Sequence, residues 1–431
     1  MTYDASLQFL YNLQTHGIKL GLDTIEALLG GIGNPHRRYP TLHIGGTNGK
    51  GSTAAMVASM LQAAGYRVGL YTSPHLVDFR ERIRVDRRLM PPDAVVDWTE
   101  RLRAAMGDAL DPTFFEFTTA MAFGYFAEMD VGVAVIEVGM GGRFDATNVV
   151  IPLASAITNV TLDHEAHLGR TVPAIAFEKA GIIKPHVPVV VGRVGQDAWG
   201  VIEHTALSQT ASTYRWGTTF HATGNPLTGF EYEGMNVSYA DLVCPLSGQH
   251  QLENAGCAIA LLELMSARGF SMTEHAVRAG LRTVAWEGRL EVVEHDPELV
   301  LDGGHNPAAG AAVAEYLMHY RVHHPAARII LVVGFMRDKD RAGFFHAVLP
   351  VADEVVVTHV DMARAATIEE VRETLQGWPG LVHSASTPLE ALACARRLAS
   401  PRDLMCVTGS LMLVGEIKAF LRGCEVSLLR G

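Results

Sequence analysis

The segment HIGGTNGKGS at residues 43–52 has the glycines, lysine and serine of a phosphate-binding turn. Such a turn exposes backbone N–H groups, and the positive end of a following helix attracts phosphate oxygens. The strict nucleotide-binding pattern is G-x-x-x-x-G-K-[ST], whereas here Ile44 replaces the first glycine and Gly51 separates Lys50 from Ser52. The segment therefore predicts a variant phosphate-binding loop, with a glycine-rich corner that binds no nucleotide as the alternative.

Side chains able to hold a metal ion accompany three apolar runs. Glu137 ends one run, whereas Ser73 and His164 follow two others. Ligands of open α/β sheets collect at the carboxyl ends of the strands, so these three residues would share one edge. A carboxylate there offers the hard oxygen that nucleotide-bound Mg²⁺ prefers. A turn serine, an ordinary strand-ending acid and a structural histidine are the simpler alternatives, and Lys179 reads as a solvated helix lysine.

A second polar group lies in the segment VLDGGHNP at residues 300–307. A helix N-cap of the Asn-Pro type explains Asn306 and Pro307, but it gives no role to Asp302 or His305. Arg289 lies just after the expected domain joint. A cleft between two α/β domains would bring this group opposite the phosphate-binding loop, which favours a reaction that joins two substrates.

The elements that must position these residues alternate between strand and helix patterns. This alternation predicts an α/β fold with a largely parallel sheet built from βαβ units. Residues 212–245 break the rhythm and predict a small antiparallel insertion, followed by a helix over 251–268. The pattern restarts near 283–289, so we expect one domain over 1–286, which carries the phosphate-binding loop, and a C-terminal domain over 287–431. The predicted strands are 40–44, 68–72, 131–138, 154–160, 187–191, 290–294, 298–302, 328–334, 354–358 and 404–408.

Composition narrows the function classes. The chain has 431 residues, of which 48% are hydrophobic and 19% charged, enough for two buried cores. The net charge of −11 and the lack of a basic block argue against nucleic acid or an anionic membrane as the main partner. The N-terminus lacks a signal pattern, and the five cysteines are unpatterned. We therefore expect a soluble, cytoplasmic protein.

Ten segments, in order along nearly the whole chain, resemble the folylpolyglutamate synthase and dihydrofolate synthase family, a branch of the Mur-ligase-like ATP-dependent amide ligases. The family's own loop carries the Lys-Gly-Ser order, which explains the variant phosphate-binding motif. The resemblance implies a P-loop, Mur-ligase-like central sheet domain plus a smaller Rossmann-like α/β C-terminal domain. The matching segments are GGTNGKGS at 45–52, TSPHL at 72–76, FFEFTT at 114–119, EVGMGGRFDATN at 137–148, LDHEAHLG at 162–169, EKAGIIK at 178–184, HQLENA at 250–255, GRLE at 288–291, DGGHNP at 302–307 and TGSL at 408–411.

The resemblance also implies roles for individual residues. Lys50, His305 and Lys179 would be catalytic, and Lys179 stands where the family carries a carbamylated lysine. His305 and Ser410 would place the incoming glutamate. ATP would contact Gly46, Thr47, Asn48, Gly49, Lys50, Gly51, Ser52, Asn254, Arg289 and Asp302. Mg²⁺, as two ions, would be held by Ser73, Glu137 and His164, and the pterin by Leu20, Gly21, Thr113, Phe115 and Asp145.

The implied activity is ATP-dependent addition of L-glutamate to dihydropteroate and to reduced folates through an acyl phosphate. A monovalent cation is a further candidate cofactor, and we expect a monomer whose partners are these small molecules. Lys19 departs from the family, which often has an acid there, so a folylpolyglutamate synthase without the first activity is an alternative. A non-catalytic nucleotide-binding module is another. A Mur-type peptidoglycan ligase fits less well, because Gly51 follows Lys50 and the chain leaves no room for an N-terminal sugar-nucleotide domain.

Overall fold

The computed structural model describes residues 1–16, 19, 21–107 and 109–425. The chain divides into two compact units. The first unit comprises Met1–His75, Arg80–Pro245 and Gln251–Ala285. The second unit comprises Leu76–Phe79, Leu246–His250 and the chain from Trp286 onward. In the described part of the chain, no helix combines the length and apolar character needed to cross a bilayer.

The main sheet of the first unit has the order β4-β3-β2-β5-β1-β6-β7-β8. Its strands from β2 to β8 in that order pair in parallel, and β3 and β4 add an antiparallel edge. The central strands are buried on both faces, which explains why they read as unbroken apolar runs. The strands are β1 (Thr41–Gly45), β2 (Val68–Tyr71), β3 (Ile83–Val85), β4 (Arg88–Leu89), β5 (Val133–Glu137), β6 (Ala154–Ile157), β7 (Val189–Val191) and β8 (Thr213–Arg215).

Helices surround this sheet. They are α1 (Tyr3–Asn12), α2 (Asp23–Gly31), α3 (Lys50–Ala63), α4 (Pro92–Met106), α5 (Phe114–Glu128), α6 (Glu165–Leu168), α7 (Val172–Ala180), α8 (Gln196–Ser208), α9 (His250–Ser266) and α10 (Glu274–Arg282). Short 3-10 helices occur at Leu13–His16, Pro35–Arg37, Phe79–Arg82 and Ala146–Val149.

Helix α3 is more deeply buried than its sequence pattern predicts. The pattern indicates one apolar face, but every residue from Ser52 to Leu61 is buried. Helix α10 covers it closely, since a Cβ atom on Gly280 would lie 2.3 Å from the Cα of Met60, and the Ser59 hydroxyl donates to the Gly280 carbonyl at 2.6 Å. The helix that follows the phosphate-binding loop is therefore held firmly within the first unit.

The predicted antiparallel insertion is confirmed but begins later than expected. It is a three-stranded sheet of β9 (His221–Asn225), β10 (Gly229–Glu233) and β11 (Ser238–Leu242). The expected range began at 212, yet β8 pairs in parallel with β7 and belongs to the main sheet. Glu263 of α9 joins the small sheet to the unit, because it accepts hydrogen bonds from the Tyr232 hydroxyl at 2.7 Å and the Asn236 amide at 2.8 Å.

The second unit contains a six-stranded sheet in the order β12-β13-β17-β14-β15-β16, parallel except for the β12–β13 pair. The mixed α/β fold class is therefore confirmed. The strands are β12 (Glu291–Glu294), β13 (Glu298–Leu301), β14 (Ile329–Val333), β15 (Glu354–Thr358), β16 (Leu381–Ala385) and β17 (Leu404–Thr408). The helices are α11 (Pro307–His323), α12 (Arg341–Val348), α13 (Ile368–Thr374), α14 (Pro388–Leu398) and α15 (Leu411–Arg422), with a 3-10 helix at Leu349–Val351.

Candidate active site

Neighbouring strands of the first unit bring the phosphate-binding loop and the metal candidates to one sheet edge. In the β2–β5 pair, Tyr71 lies beside Ile136, two residues before Ser73. Glu137 lies beside Ile44 of β1. On the other side of β1, Ile157 lies beside Gly45, so the segment leading to His164 leaves the sheet at the same edge. Sheet order thus places these segments together although they are far apart in sequence.

Two glycines shape the loop between β1 and α3. Gly46 has φ +141° and Gly49 has φ +79°, conformations that favour glycine. A Cβ atom on Gly46 would lie 1.9 Å from Thr158 Oγ1, and one on Gly49 would lie 2.2 Å from Asn254 Oδ1. Asn254 therefore lies directly against the loop. Helix α3 begins at Lys50 with Gly49 as its N-cap, which supplies no side-chain acceptor to the first N–H groups of the helix. Gly51 and the buried Ser52 form its first turn.

Residues that the sequence interpretation missed hold the loop in place. Asn159 accepts from the Asn48 amide at 2.9 Å and donates to the Asn48 carbonyl at 3.1 Å. The Thr158 hydroxyl also donates to that carbonyl, at 2.6 Å. The Thr47 hydroxyl donates to the Thr161 carbonyl at 3.2 Å. All three partners follow β6, and their only sequence signal is that they lie at the end of a predicted strand.

Two lysines contact the backbone of this loop. Lys50 Nζ donates to the Thr47 carbonyl at 3.0 Å, and Lys179 Nζ donates to the Gly46 carbonyl at 2.8 Å. Lys179 is only 4% exposed, so it is not the solvated helix lysine that its pattern suggests. Burial, followed by the charge of Lys50, lowers the pKa of Lys179 to about 7. Part of the Lys179 population is therefore neutral near physiological pH.

The metal candidates differ in their surroundings. Glu137 is buried, and its Oε2 accepts a hydrogen bond from the Ser73 backbone N–H at 3.1 Å. His164 is exposed, and its backbone adopts φ +51°. Among the described residues, no group of three His, Cys, Asp or Glu side chains could hold a metal. A carboxylate beside a serine still fits a hard divalent cation, because Mg²⁺ takes few protein carboxylates and completes its shell with water and phosphate oxygens.

Buried Arg82 stabilises the segment that carries Ser73. Its Nε donates to His75 Nδ1 at 2.8 Å, and its main-chain carbonyl accepts from the Thr72 amide at 3.0 Å. Arg82 is also within electrostatic reach of Glu137, whose negative charge favours the charged guanidinium. The TSPHL segment is thus fixed by a cation that sequence reasoning did not single out.

Of the pterin candidates, Phe115 packs on the loop that follows β5, and Asp145 lies within that loop. A Cβ atom on Gly139 would lie 2.5 Å from the Phe115 ring, so that ring packs on the loop. Thr113 is the N-cap of α5 and forms a capping box with Glu116, whose carboxylate accepts from the Thr113 amide at 2.7 Å and hydroxyl at 2.8 Å. Gly21 has φ +136°. Leu20 lies outside the described residues.

Asp145 is anchored within that loop. Its Oδ2 accepts from the Met140 amide at 2.8 Å, and its Oδ1 accepts from the Thr147 amide at 3.0 Å and from the Thr147 hydroxyl. Burial raises the pKa of Asp145, and these hydrogen bonds and the charge of Lys50 oppose the rise. The Asp145 carboxylate therefore lies within electrostatic reach of the phosphate-binding loop.

The candidates of the second unit gather around the turn between β13 and α11. Asp302 accepts from the Leu290 amide at 2.9 Å and from the Gly304 amide at 2.8 Å. His305 Nδ1 lies 2.9 Å from the Gly303 carbonyl, and a Cβ atom on Gly303 would lie 2.6 Å from the Arg289 guanidinium. Ser410 caps α15 by accepting from the Met412 amide at 3.1 Å. The Gly409 amide donates to the Gly304 carbonyl at 2.9 Å, which brings Ser410 to the same turn.

Comparison with known proteins identifies the family. Residues 44–262 match the model of the Mur ligase middle domain, and residues 288–411 match the Mur ligase glutamate ligase domain. The chain is 32% identical to the dihydrofolate synthase/folylpolyglutamate synthase of Bacillus subtilis over 97% of its own length and 99% of the relative. The chain belongs to the folylpolyglutamate synthase and dihydrofolate synthase family. The resemblance seen in the sequence is thereby confirmed.

Other members of the folylpolyglutamate synthase and dihydrofolate synthase family differ in length and in known ligands. The chain is 39% identical to a Halobacterium salinarum protein named a probable bifunctional folylpolyglutamate synthase/dihydropteroate synthase, covering 97% of this chain but only 51% of that relative. The structure of Escherichia coli FolC in complex with DHPP and ADP matches with a TM-score of 0.90, 30% identity and 98% coverage of both chains. A bifunctional synthase with Mn, AMPPNP and L-glutamate bound matches with a TM-score of 0.87, 30% identity and 98% coverage of both chains.

Proposed function

We propose that this chain is an ATP-dependent ligase that joins L-glutamate to dihydropteroate, forming dihydrofolate, and to reduced folates, forming folylpolyglutamates. One observation carries the proposal: β5, which leads into the loop assigned to the metal and the pterin, pairs with β1, which leads into the loop assigned to ATP, so the two loops leave the sheet at the same edge. An acceptor bound at the first loop would therefore share this edge of the sheet with the phosphates that the second loop binds. Relatives bound to nucleotide, glutamate and DHPP support the same assignment.

The reaction follows from the weakness of a carboxylate as an acyl donor. A carboxylate oxygen of the acceptor attacks the γ-phosphorus of ATP, ADP leaves, and an acyl phosphate forms. The α-amino group of glutamate then attacks the acyl carbon and loses a proton. Phosphate leaves with the electron pair of the C–O bond as the amide forms. Lys50 and the N-terminus of α3 stabilise negative charge on the transferring phosphoryl group.

We assign a divalent cation to Ser73, Glu137 and His164, and a second ion to the neighbourhood of Lys179. When bound, such ions supply charge neutralisation and orientation of the phosphates. The isosteric variant Glu137→Gln removes the buried carboxylate charge. We expect it to raise the Mg²⁺ concentration for half-maximal activity about tenfold or more, as measured in a Mg²⁺ titration. An unchanged requirement would place the cation elsewhere.

Lys179 is proposed to carry a carbamate. The reaction needs a neutral amine, and the pKa of Lys179, lowered by burial to about 7, provides one. The lone pair of Nζ attacks the carbon of CO₂ and a proton is released, leaving a carboxylate that suits a second cation. Intact-mass measurement after equilibration with bicarbonate should show an added CO₂ in the wild type and none in Lys179→Gln. A wild-type mass that differs from the mass of Lys179→Gln only by the substitution itself would contradict the carbamate.

The pterin is assigned to Leu20, Gly21, Thr113, Phe115 and Asp145. The Phe115 ring offers a flat apolar face and Asp145 an acceptor for the N–H groups of a pterin. Lys19 forms an ion pair with Asp111, with Nζ 2.6 Å from Oδ2. Its charge is therefore directed to a carboxylate two residues before Thr113, which favours retention of the dihydropteroate activity. Asn254, Arg289 and Asp302 are assigned to the nucleotide, and His305 and Ser410 to glutamate.

The deciding experiment measures ADP release by the purified protein with ATP, Mg²⁺ and L-glutamate. Dihydropteroate and a reduced folate are compared as acceptors, with D-glutamate as the matched control substrate. Turnover with both acceptors supports the bifunctional enzyme, and turnover with the folate alone restricts it to tail extension. Nucleotide binding without ADP release in the presence of either acceptor would favour a non-catalytic module. The monomeric state, the cytoplasmic location and a monovalent cation stay predictions.

A further inference from the structure

His43 lies in the middle of β1, two residues before Gly45, where the strand ends, and it is fully buried. Its Nε2 lies 2.8 Å from the Thr147 hydroxyl. The contact joins a central strand of the sheet to the loop that carries Asp145, across more than a hundred residues of sequence.

The hydrogen-bond directions around Thr147 are fixed by its single hydroxyl proton. The Thr147 hydroxyl donates to Asp145 Oδ1, so it must accept from His43, and Nε2 is the protonated nitrogen of the ring. His43 Nδ1 is then the bare nitrogen. It is buried and has no hydrogen-bond partner in the described part of the protein. Burial, followed by the charge of Lys184, lowers the pKa of His43 to about 3, so the ring stays neutral and its donor role does not change near pH 7.

Three hydrogen bonds fix the orientation of the Asp145 carboxylate. A carboxylate has about four acceptor positions. The Thr147 hydroxyl and amide occupy two at Oδ1, and the Met140 amide occupies one at Oδ2. Within the part of the chain that the structure describes, one acceptor position is left for a ligand. Without the His43 donor, the Thr147 hydroxyl is held only by its hydrogen bond to Asp145, so the hydroxyl and the carboxylate that it contacts are less firmly positioned.

We propose that His43 is a positioning residue for the acceptor: through the Thr147 hydroxyl it fixes the Asp145 carboxylate so that the remaining acceptor position meets an N–H donor of the pterin. This inference rests on the proposed function, which assigns Asp145 to the pterin. It makes no use of ATP or glutamate. The predicted defect is therefore confined to one substrate, although His43 lies on the strand that leads directly into the nucleotide loop.

Steady-state kinetics of His43→Leu test the inference. We expect the KM for the pterin acceptor to rise about tenfold, the usual effect of one buried hydrogen bond, with the KM for ATP and for glutamate changed less than twofold. His43→Gln, whose amide can donate from a position close to that of Nε2, should restore most of the loss. A role in packing alone would raise the KM for ATP as well, and Gln would not rescue it.

A double-mutant cycle with Thr147→Val separates coupling from simple addition. If His43 acts through Thr147, the double variant His43→Leu/Thr147→Val has the same pterin KM as Thr147→Val alone. Independent, multiplying effects would overturn the proposal. The matched control is His36→Leu, another buried neutral histidine of the first unit, whose ring packs on Phe123 at a centroid distance of 5.8 Å. We expect it to leave the pterin KM unchanged.

The outcomes also separate this inference from the proposed function. If the wild-type protein shows no pterin-dependent ADP release, the proposed function fails before any variant is measured. If the wild type is active and folded His43→Leu keeps the wild-type pterin KM, only the positioning role is overturned. The ¹⁵N shifts of the His43 ring give an independent readout, because protonation at Nδ1 instead of Nε2 would contradict the hydrogen-bond directions.

Discussion

Two corners of this protein share a plan of strand, glycine-containing turn and helix, yet they treat the start of the helix in opposite ways. The first corner, Gly45–Ser52, joins β1 to α3, and the second, Asp302–Pro307, joins β13 to α11. In the second corner Asn306 caps the helix by accepting from the Ala309 amide at 2.9 Å, and Pro307 has no N–H to satisfy. In the first corner the cap is Gly49, which has no side-chain acceptor to offer.

The difference shows what makes a helix start an anion site. Every helix leaves its first N–H groups without partners inside the helix. Where a side chain such as Asn306 accepts from them, the corner is self-sufficient and can present other groups, here Asp302 and His305. Where the cap is Gly49, no side chain of the cap accepts from the first N–H groups, so they can bind an incoming anion, and Lys50 adds positive charge. The start of a helix is therefore suited to phosphate when no side chain caps it, as much as when a lysine lies beside it.

The largest expected effect comes from removing the charge of the first corner. Lys50→Ala should lower kcat/KM about a thousandfold, because a fixed charge that stabilises the transferring phosphoryl group is lost. The measurement is pterin- and glutamate-dependent ADP release, with thermal unfolding to show that the variant is folded. Lys50→Arg is the control that keeps the charge and changes its geometry. Activity of folded Lys50→Ala within tenfold of the wild type would exclude Lys50 from the mechanism.

Adding a single methyl group to the first corner should have the next largest effect. Gly49→Ala meets both a left-handed φ of +79° and a clash with Asn254 at 2.2 Å. The KM for ATP should rise about tenfold or more as the loop shifts.

Gly65→Ala is the matched control for this variant, since Gly65 has φ +89° but nothing within 4 Å of the added Cβ. Both variants should lose about 1 kcal/mol of stability through the backbone, and only Gly49→Ala should weaken ATP binding. Equal ATP kinetics in the two variants would show that the loop tolerates the displacement of Asn254.

The strands of the protein differ in how well the sequence pattern predicts them. Strands 354–358 and 404–408 are predicted to the residue, because they are buried along their whole length and read as apolar runs. The missed strands are short or peripheral. All three residues of β8 are only partly buried, and none of the five residues of the edge strand β16 is fully buried. Neither has an apolar pattern to detect.

At the site, glycine and lysine motifs are visible in sequence, but the residues that brace them are not. Asn159 binds Asn48, and His43 binds Thr147, across more than a hundred residues each. These contacts exist because β1 lies between β5 and β6 in the sheet. Strand order is set by long-range packing, so a single sequence indicates which residues end a strand without indicating which strand lies beside it.

A pH experiment tests the burial of Lys179, the α7 lysine that contacts the backbone of the first corner. The pKa of Lys179 is lowered from 10.5 to about 7 in the folded protein. Between these values the unfolded chain binds a proton that the folded chain does not, so the unfolding free energy rises with pH, by at most about 1.4 kcal/mol per pH unit. Below pH 7 the cost of burying the ammonium is fully present.

Urea unfolding of the wild type and Lys179→Met in bicarbonate-free buffer measures this slope. Lys179→Met lacks the titrating group, so it should be the more stable protein near pH 7, with its advantage shrinking as the pH approaches 10.5. Contributions from all other groups cancel in the difference. Parallel stability curves over this range would show that Lys179 titrates normally, and would remove the neutral amine on which the carbamate depends.

The smallest expected effect lies in the second corner. Asn306→Ala removes the side-chain acceptor of the α11 N-cap and should cost about 1 kcal/mol of stability, measured by urea unfolding of the transition that reports on the second unit. Asn306→Asp keeps an acceptor and should lose much less. If the alanine variant were as stable as the wild type, the Ala309 amide would have another way to be satisfied. The distinction between the corners would then rest on Gly49 and Lys50 of the first corner, and not on the Asn306 cap of the second.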